Sequence, residues 1–226
     1  MKILAIGAHP DDIELFMYGF LSLCKKRGDK LFLAIATDGS AGGNNENNKL
    51  STIRENETLD ALKYLGQPYF FRFKDGYLAS EDKSFQFIKN YIFEVCPDLV
   101  VTHHINDYHP DHRILSNYIK EICGFNFPVL YCETLMGVNF EPDVYVDITE
   151  YFEEKKEAIM NHKSQNPKRL IEIVKTMNRY RSLQCNGSYY QYVETFKIPK
   201  QFPFLDLRNM IPKSLSIQKF NLTNTN

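Results

Sequence analysis

Two short runs, His9-Pro10-Asp11-Asp12 and His109-Pro110-Asp111-His112, bring imidazoles and carboxylates together at spacings that suit a catalytic divalent metal. Zinc in hydrolytic sites commonly takes three protein ligands from histidine and carboxylate and keeps a fourth position for water. His9, Asp12 and His112 supply such a set. Pro10 stiffens the turn between His9 and Asp12. Three-residue spacing at a helix entrance lets those two side chains face one point while Asp11 points elsewhere, available as a base. The second run repeats the geometry at another helix start, with one histidine for the metal and His109 for the substrate, and Asp111 would orient an imidazole. Against this stands a plainer reading, since paired aspartates after a strand often serve only to cap a helix. His103 and His104, a pair at a strand end, read as hydrogen-bonded structural residues outside the metal site. Arg54 and Glu57 fit a surface i, i+3 ion pair equally well.

Something must hold these runs in register, and the apolar pattern says what. Residues 2–8 form a continuous apolar run, the mark of a strand buried on both faces of a parallel sheet. Ile13, Phe16, Met17, Phe20, Leu21 and Cys24 then recur as a helical stripe that Gly28 closes. The alternation continues with strands at 30–37, 69–73, 98–102 and 128–132 and helices at 51–65, 83–95 and 110–122. Beyond it the sequence predicts a strand at 143–148, a helix capped by Thr149, a helix near 167–184 and a strand at 189–196. The fold class is therefore α/β, a Rossmann-like, doubly wound and mostly parallel sheet. Ligands of such sheets bind outside the carboxyl ends of the strands, and five of the six histidines fall there. Asp38-Gly39 and Asp75-Gly76 follow two further strands. The polar segment 38–50 reads as a long loop, of the kind that often covers a site. We divide the chain into a domain over 1–198 and an irregular C-terminal extension over 199–226 that packs on it.

With 226 residues and 43% hydrophobic content, one α/β domain has enough apolar material for its core. Lys plus Arg number 27 against 28 acids, so no basic field gathers nucleic acid or an anionic membrane. A small-molecule partner fits better, and a homo-oligomer is compatible with it. The five cysteines form no C-x-x-C pair, which argues against a thiolate zinc site and for a reducing, cytoplasmic setting. No stretch approaches the ~20 apolar residues of a transmembrane helix.

Taken together, AHPDDIE (8–14), TDG (37–39), RENE (54–57), DG (75–76), NDYHPDH (106–112) and HKSQ (162–165) resemble the PIG-L/LmbE family of N-acetylglucosaminyl deacetylases. The resemblance runs over residues 2–196. It implies one zinc per chain and removal of acetyl from an N-acetylated amino sugar conjugate. By position it implies His9, Asp12 and His112 as ligands, Asp11 as general base and His109, held protonated by Asp111, as oxyanion stabiliser. Arg54, Asp75 and His162 would contact substrate, and an arginine fork there would favour an anionic aglycone. Two other readings remain: the same metal site acting on another N-acyl group such as formyl, and a receiver-like module holding magnesium. The turn after the first strand lacks G-x-G-x-x-G, which disfavours a dinucleotide-binding domain.

Overall fold

The structure, a computed structural model, describes residues 1–43, 49–188, 191–206 and 211. Ile3, Leu4, Ala5 and Ile6 of β1 (Lys2–Gly7) are fully buried, as a strand covered on both faces requires. Successive residues feed opposite layers. Ile3 and Ala5 join one core cluster, while Leu4 and Ile6 join the other. The same alternation runs through β2 (Lys30–Thr37), β4 (Leu99–His103) and β5 (Val129–Cys132). With β3 (Pro68–Phe73), β6 (Val144–Asp147) and β7 (Val193–Lys197) these form one sheet in the order β3-β2-β1-β4-β5-β7-β6. The first five strands are parallel, and β7 runs antiparallel to both β5 and β6.

One face carries α1 (Asp12–Phe16), α2 (Tyr18–Arg27), α3 (Leu50–Leu62), α6 (Phe152–Met160) and α7 (Pro167–Gln184). The other carries α4 (Ser84–Val95) and α5 (Pro110–Cys123). Strand order reverses between β1 and β4, so the loops leaving their carboxyl ends diverge and open a crevice. Among the described residues, no helix is long and apolar enough to cross a membrane.

Three local expectations change. The single helix expected from Ile13 to Cys24 is two, broken at Met17 (φ −133°). The break has a physical reason: it frees the first amides of α2, and the Glu194 carboxylate on β7 accepts them from Gly19 at 3.0 Å and Phe20 at 2.8 Å. A Cβ on Gly19 would come within 2.5 Å of the Ile148 side chain, so only glycine allows this approach. Thr149 does not cap α6, which begins at Phe152. Its hydroxyl donates to Asp147 Oδ1 at 2.6 Å, opening a 3₁₀ turn over Thr149–Tyr151. The last strand starts at Val193; residues 189 and 190 of the expected 189–196 span lie outside the described residues. So do 44–48 of the polar loop and, apart from 211, everything after 206. From 199 to 206 the extension has no regular element, and the Phe202 carbonyl accepts the Phe125 amide at 3.0 Å.

Lys155, fully buried, completes the Glu194 junction, with Nζ 2.8 Å from Glu194 Oε1 and 3.1 Å from Asn178 Oδ1. Glu194→Ala would leave a buried ammonium and two amides without their acceptor. It is expected to cost ~3–5 kcal/mol of stability in urea unfolding. A loss under about 1 kcal/mol would show that water or a neighbour replaces the carboxylate.

Candidate metal centre and catalytic pocket

The turn after β1 doubles back at once, because Gly7 lets the chain pass close: a Cβ there would sit 2.9 Å from Asp12 Cβ. The His9 amide donates to Asp12 Oδ2 at 2.6 Å, fixing the two side chains relative to each other. The loop after β4 returns as α5, with Pro110 in its first turn and His109 as its N-cap. Three side chains from the two loops converge. His9 Nδ1 lies 3.1 Å from His112 Nε2 and 3.4 Å from Asp12 Oδ2, and His112 Nε2 lies 3.3 Å from Asp12 Oδ1. Ligands 2.0–2.1 Å from one tetrahedral ion stand about 3.3 Å apart, so the separations of these three side chains, each taken to the nearer Asp12 oxygen, suit a zinc ion. Two imidazole nitrogens and a carboxylate are also a donor set that zinc accepts well and magnesium poorly.

Further donors crowd the same place. Asp12, His103 and His112 also form a group that could hold a cation, as do His9, His109 and His112, and His9, Asp75 and Asp111. The hydrogen bonds choose among them. His103 Nε2 accepts the Ala8 amide at 3.0 Å, so its lone pair is committed, and its ring stacks on His112 at 3.8 Å. The same nitrogen stands 3.1 Å from Asp12 Oδ2. His109 Nδ1 accepts the Asp111 amide at 3.2 Å, which leaves Nε2 carrying the proton.

The outer nitrogens of the two histidines each meet carboxylates, the usual way a metal-binding imidazole is held in one tautomer. His112 Nδ1 lies 3.1 Å from Asp107 Oδ1, and Asp107 is itself held by the Thr134 hydroxyl and, at 2.8 Å, by the His109 amide. His9 Nε2 lies 3.2 Å from Asp75 Oδ1 and 3.4 Å from Asp111 Oδ2. This corrects one expectation. The Asp111 carboxylate is pinned by the Gly76 amide at 2.7 Å and the Leu78 amide at 3.4 Å, so it faces His9 and does not hold His109 protonated. Burial, with His9 and His112 nearby, drives the His109 pKa down to about 4, and the ring is neutral near pH 7.

Arg54 lies where the resemblance places it, in the wall of the cavity, but much of its guanidinium grips the protein. It is buried there, with Nη1 donating to Gly39 O at 3.0 Å and Nη2 to Pro10 O at 2.6 Å and Asp11 Oδ2 at 3.0 Å, while Nε has no partner among the described residues. The fork that would meet an anionic aglycone grips the His9–Asp12 turn instead. Asp11 needs such a grip, because its backbone sits at φ 123°, a strained conformation for a residue with a Cβ. His162, unlike Arg54, is no wall of the pocket. It is fully buried with Nε2 2.8 Å from Glu14 Oε1, behind the turn. Asp75 does line the cavity, but Oδ1 faces His9 and Oδ2 accepts the Ala41 amide at 3.1 Å.

The cavity holds about 310 Å³ and is walled by His9, Asp11, Asp12, Tyr108, His109 and His112, among others. Burial raises the Asp11 pKa, with Asp12 adding to the rise and Arg54 opposing it. Asp12 is held well below the usual carboxylate range, His112 and His103 overcoming its burial. Burial lowers His112, yet Asp12 and Asp107 outweigh it and lift the ring to about 9, so a metal would have to displace a proton there. Two adjacent aspartates are thus driven apart, one toward proton acceptance and one toward permanent charge. Asp107 is the neighbour of the site that sequence reasoning missed. The available signal was that every histidine ligand needs a partner for its second nitrogen.

The family model described as PIG-L, GlcNAc-PI de-N-acetylase, matches residues 4–123. An Escherichia coli K12 protein named "uncharacterized deacetylase YaiS" is 32% identical over 178 residues, covering 72% of this chain and 90% of its own. A Bacillus cereus protein named "probable N-acetyl-alpha-D-glucosaminyl L-malate deacetylase 2" is 30% identical over 182 residues, covering 72% and 83%. Among solved structures, the 4-carboxy-2-hydroxymuconate hydratase GalB from Pseudomonas putida KT2440 superposes with a TM-score of 0.76 at 20% identity, over 90% of this chain and 99% of that one. A hydratase on this fold means that the activity must be argued from the site and not from the sheet.

Proposed function

The chain belongs to the PIG-L family, and on that premise we propose that it is a zinc-dependent deacetylase of N-acetylated amino sugar conjugates of the GlcNAc type, releasing acetate and the free amine. The observation that carries this reading is the triangle of His9 Nδ1, Asp12 and His112 Nε2, 3.1 to 3.4 Å on a side, with Asp11 in the wall of the same cavity. His9, Asp12 and His112 would hold one zinc, which when bound supplies Lewis acidity toward the water and the amide carbonyl. Asp11, its pKa raised by burial, takes the proton of the attacking water and returns it to the departing nitrogen. His109 donates from Nε2 to the developing oxyanion as a neutral imidazole, its other nitrogen being fixed by the Asp111 amide. Arg54 keeps Asp11 aimed. Asp111 and Asp75 orient His9, and Asp107 orients His112.

A receiver-like magnesium site is disfavoured by the two imidazoles among three donors. The five cysteines are all free, which supports a reducing, cytoplasmic setting. The test is to load the purified protein with zinc and assay acetate and amine release from N-acetylglucosamine conjugates, with N-formyl analogues alongside. Equal amounts of acetate and amine, with no turnover in magnesium alone, are expected. A higher kcat/KM on the N-formyl compounds would assign the other acyl group, and release of neither acid would remove the activity.

A further inference from the structure

A second cavity of about 640 Å³ lies beside the catalytic one, between the loop that follows β5 and the outer side of α7. The two meet at Leu135, which lines both. On α7, Leu170 lines the catalytic cavity, and Ile173, nearly one turn further along the same helix, lines the other. We propose that this groove is the aglycone subsite of the reaction and takes an apolar alkyl or aryl aglycone; the proposal rests on the deacetylase reading above. At about 310 Å³ the catalytic cavity lies at the small end of ligand pockets, with room for one acylated sugar, so a conjugate must continue past Leu135.

The lining decides the chemistry of what continues. Leu135, Met136, Ile173, Met177 and Tyr180 give it a largely apolar wall, with the exposed Arg169 and Glu172, of opposite charge, also in its lining. Its most buried charges are closed on each other. Arg181 Nε donates to Glu133 Oε2 at 2.7 Å and Nη2 to Glu133 Oε1, while Nη1 donates to Gln184 at 2.5 Å. The Thr195 hydroxyl takes up Glu133 Oε2 as well. A polyhydroxylated or dicarboxylate aglycone would find that fork already spent, whereas an alkyl chain or aryl ring would bury apolar surface. Met136 strengthens the case. It is held at φ 71°, a conformation costly for a residue with a side chain, and the residue stands 78% exposed in the lining of the groove.

The test compares methyl and octyl glycosides of N-acetylglucosamine, the octyl compound below its micelle concentration, by acetate release and by calorimetric binding. At least about a tenfold advantage in kcat/KM for the octyl glycoside, carried by KM, is expected. Ile173→Asp, and independently Thr176→Trp at an exposed position of the same wall, should erase the advantage and the tighter binding. The methyl glycoside should be turned over within about twofold of wild type, since neither residue touches the catalytic cavity. Equal rates and equal binding for the two glycosides would overturn the subsite and leave the deacetylase reading intact. Tighter octyl binding that both variants abolish, without acetate from either compound, would sink the activity and leave the groove as an apolar ligand site. A preference untouched by both variants, with a changed oligomeric state, would make the groove a contact between copies of the chain.

Discussion

Asp11→Asn is expected to lower kcat by ~10²–10⁴-fold while the protein keeps its zinc, because it removes a proton acceptor and no metal ligand. The substitution is close to isosteric. The asparagine side-chain oxygen can still accept from Arg54 Nη2, now 3.0 Å from Asp11 Oδ2. Asparagine also tolerates positive φ better than most residues, so the turn at φ 123° should survive. What the amide cannot do is take a proton from water and return it to nitrogen. KM should therefore stay within a few-fold, and elemental analysis should still find about one zinc per chain. Near-normal turnover in the zinc-loaded variant would take the general-base role away from Asp11. Arg54→Lys is the informative companion, since a single ammonium cannot reach Gly39 O, Pro10 O and Asp11 together as the guanidinium does.

The difference between what Arg54 was expected to do and what it does marks the limit of sequence reading here. The parallel strands were legible because each is a continuous apolar run ending in polar residues, a signal that needs no knowledge of neighbours. The pairing of His9 with Asp12 was legible for a similar reason: histidine and aspartate at short spacing beside a helix start carry their geometry with them. Partner choice is not local. Whether Asp111 faces His9 or His109 depends on the amides of Gly76 and Leu78, delivered by the loop after β3 some 35 residues away in sequence. Whether Arg54 faces solvent or the protein depends on how the turn at Pro10 closes over α3. His162 shows the same thing, for its motif position says nothing of Glu14, 148 residues away in sequence.

Long-range pairing also explains the sheet's far edge. β7 follows β6 in sequence but inserts between β5 and β6 and runs antiparallel to both. Nothing in the five residues of β7 announces this. The Glu194 that it carries does have a consequence near the site. By accepting the first amides of α2 it favours the break at Met17, which lets α1 be a short helix of its own behind His9 and Asp12. The strand furthest from the chemistry in sequence thus helps to set the angle of the turn that supplies two of the three proposed ligands.

His112→Ala should empty the site. Of three proposed ligands it removes the one contributed by the other loop, leaving His9 and Asp12, three residues apart on a single turn, to hold an ion alone. Bound zinc after dialysis should fall far below one per chain and acetate release should fall with it. A graded comparison makes the assignment strict. Asp107→Asn leaves all three donors in place but weakens the carboxylate that faces His112 Nδ1 at 3.1 Å, and a change in such an outer partner typically costs about 10–100-fold in metal affinity. His112→Ala must cost more than that. His103→Gln supplies the contrast, because His103 Nε2 is already taken by the Ala8 amide at 3.0 Å and is not counted as a ligand. Its metal affinity should therefore lie nearer to Asp107→Asn than to His112→Ala. Zinc lost equally in His103→Gln would place the ion in the neighbouring group of Asp12, His103 and His112, and zinc content unchanged in His112→Ala would remove His112 from the ligands; either result would redraw the proposed set.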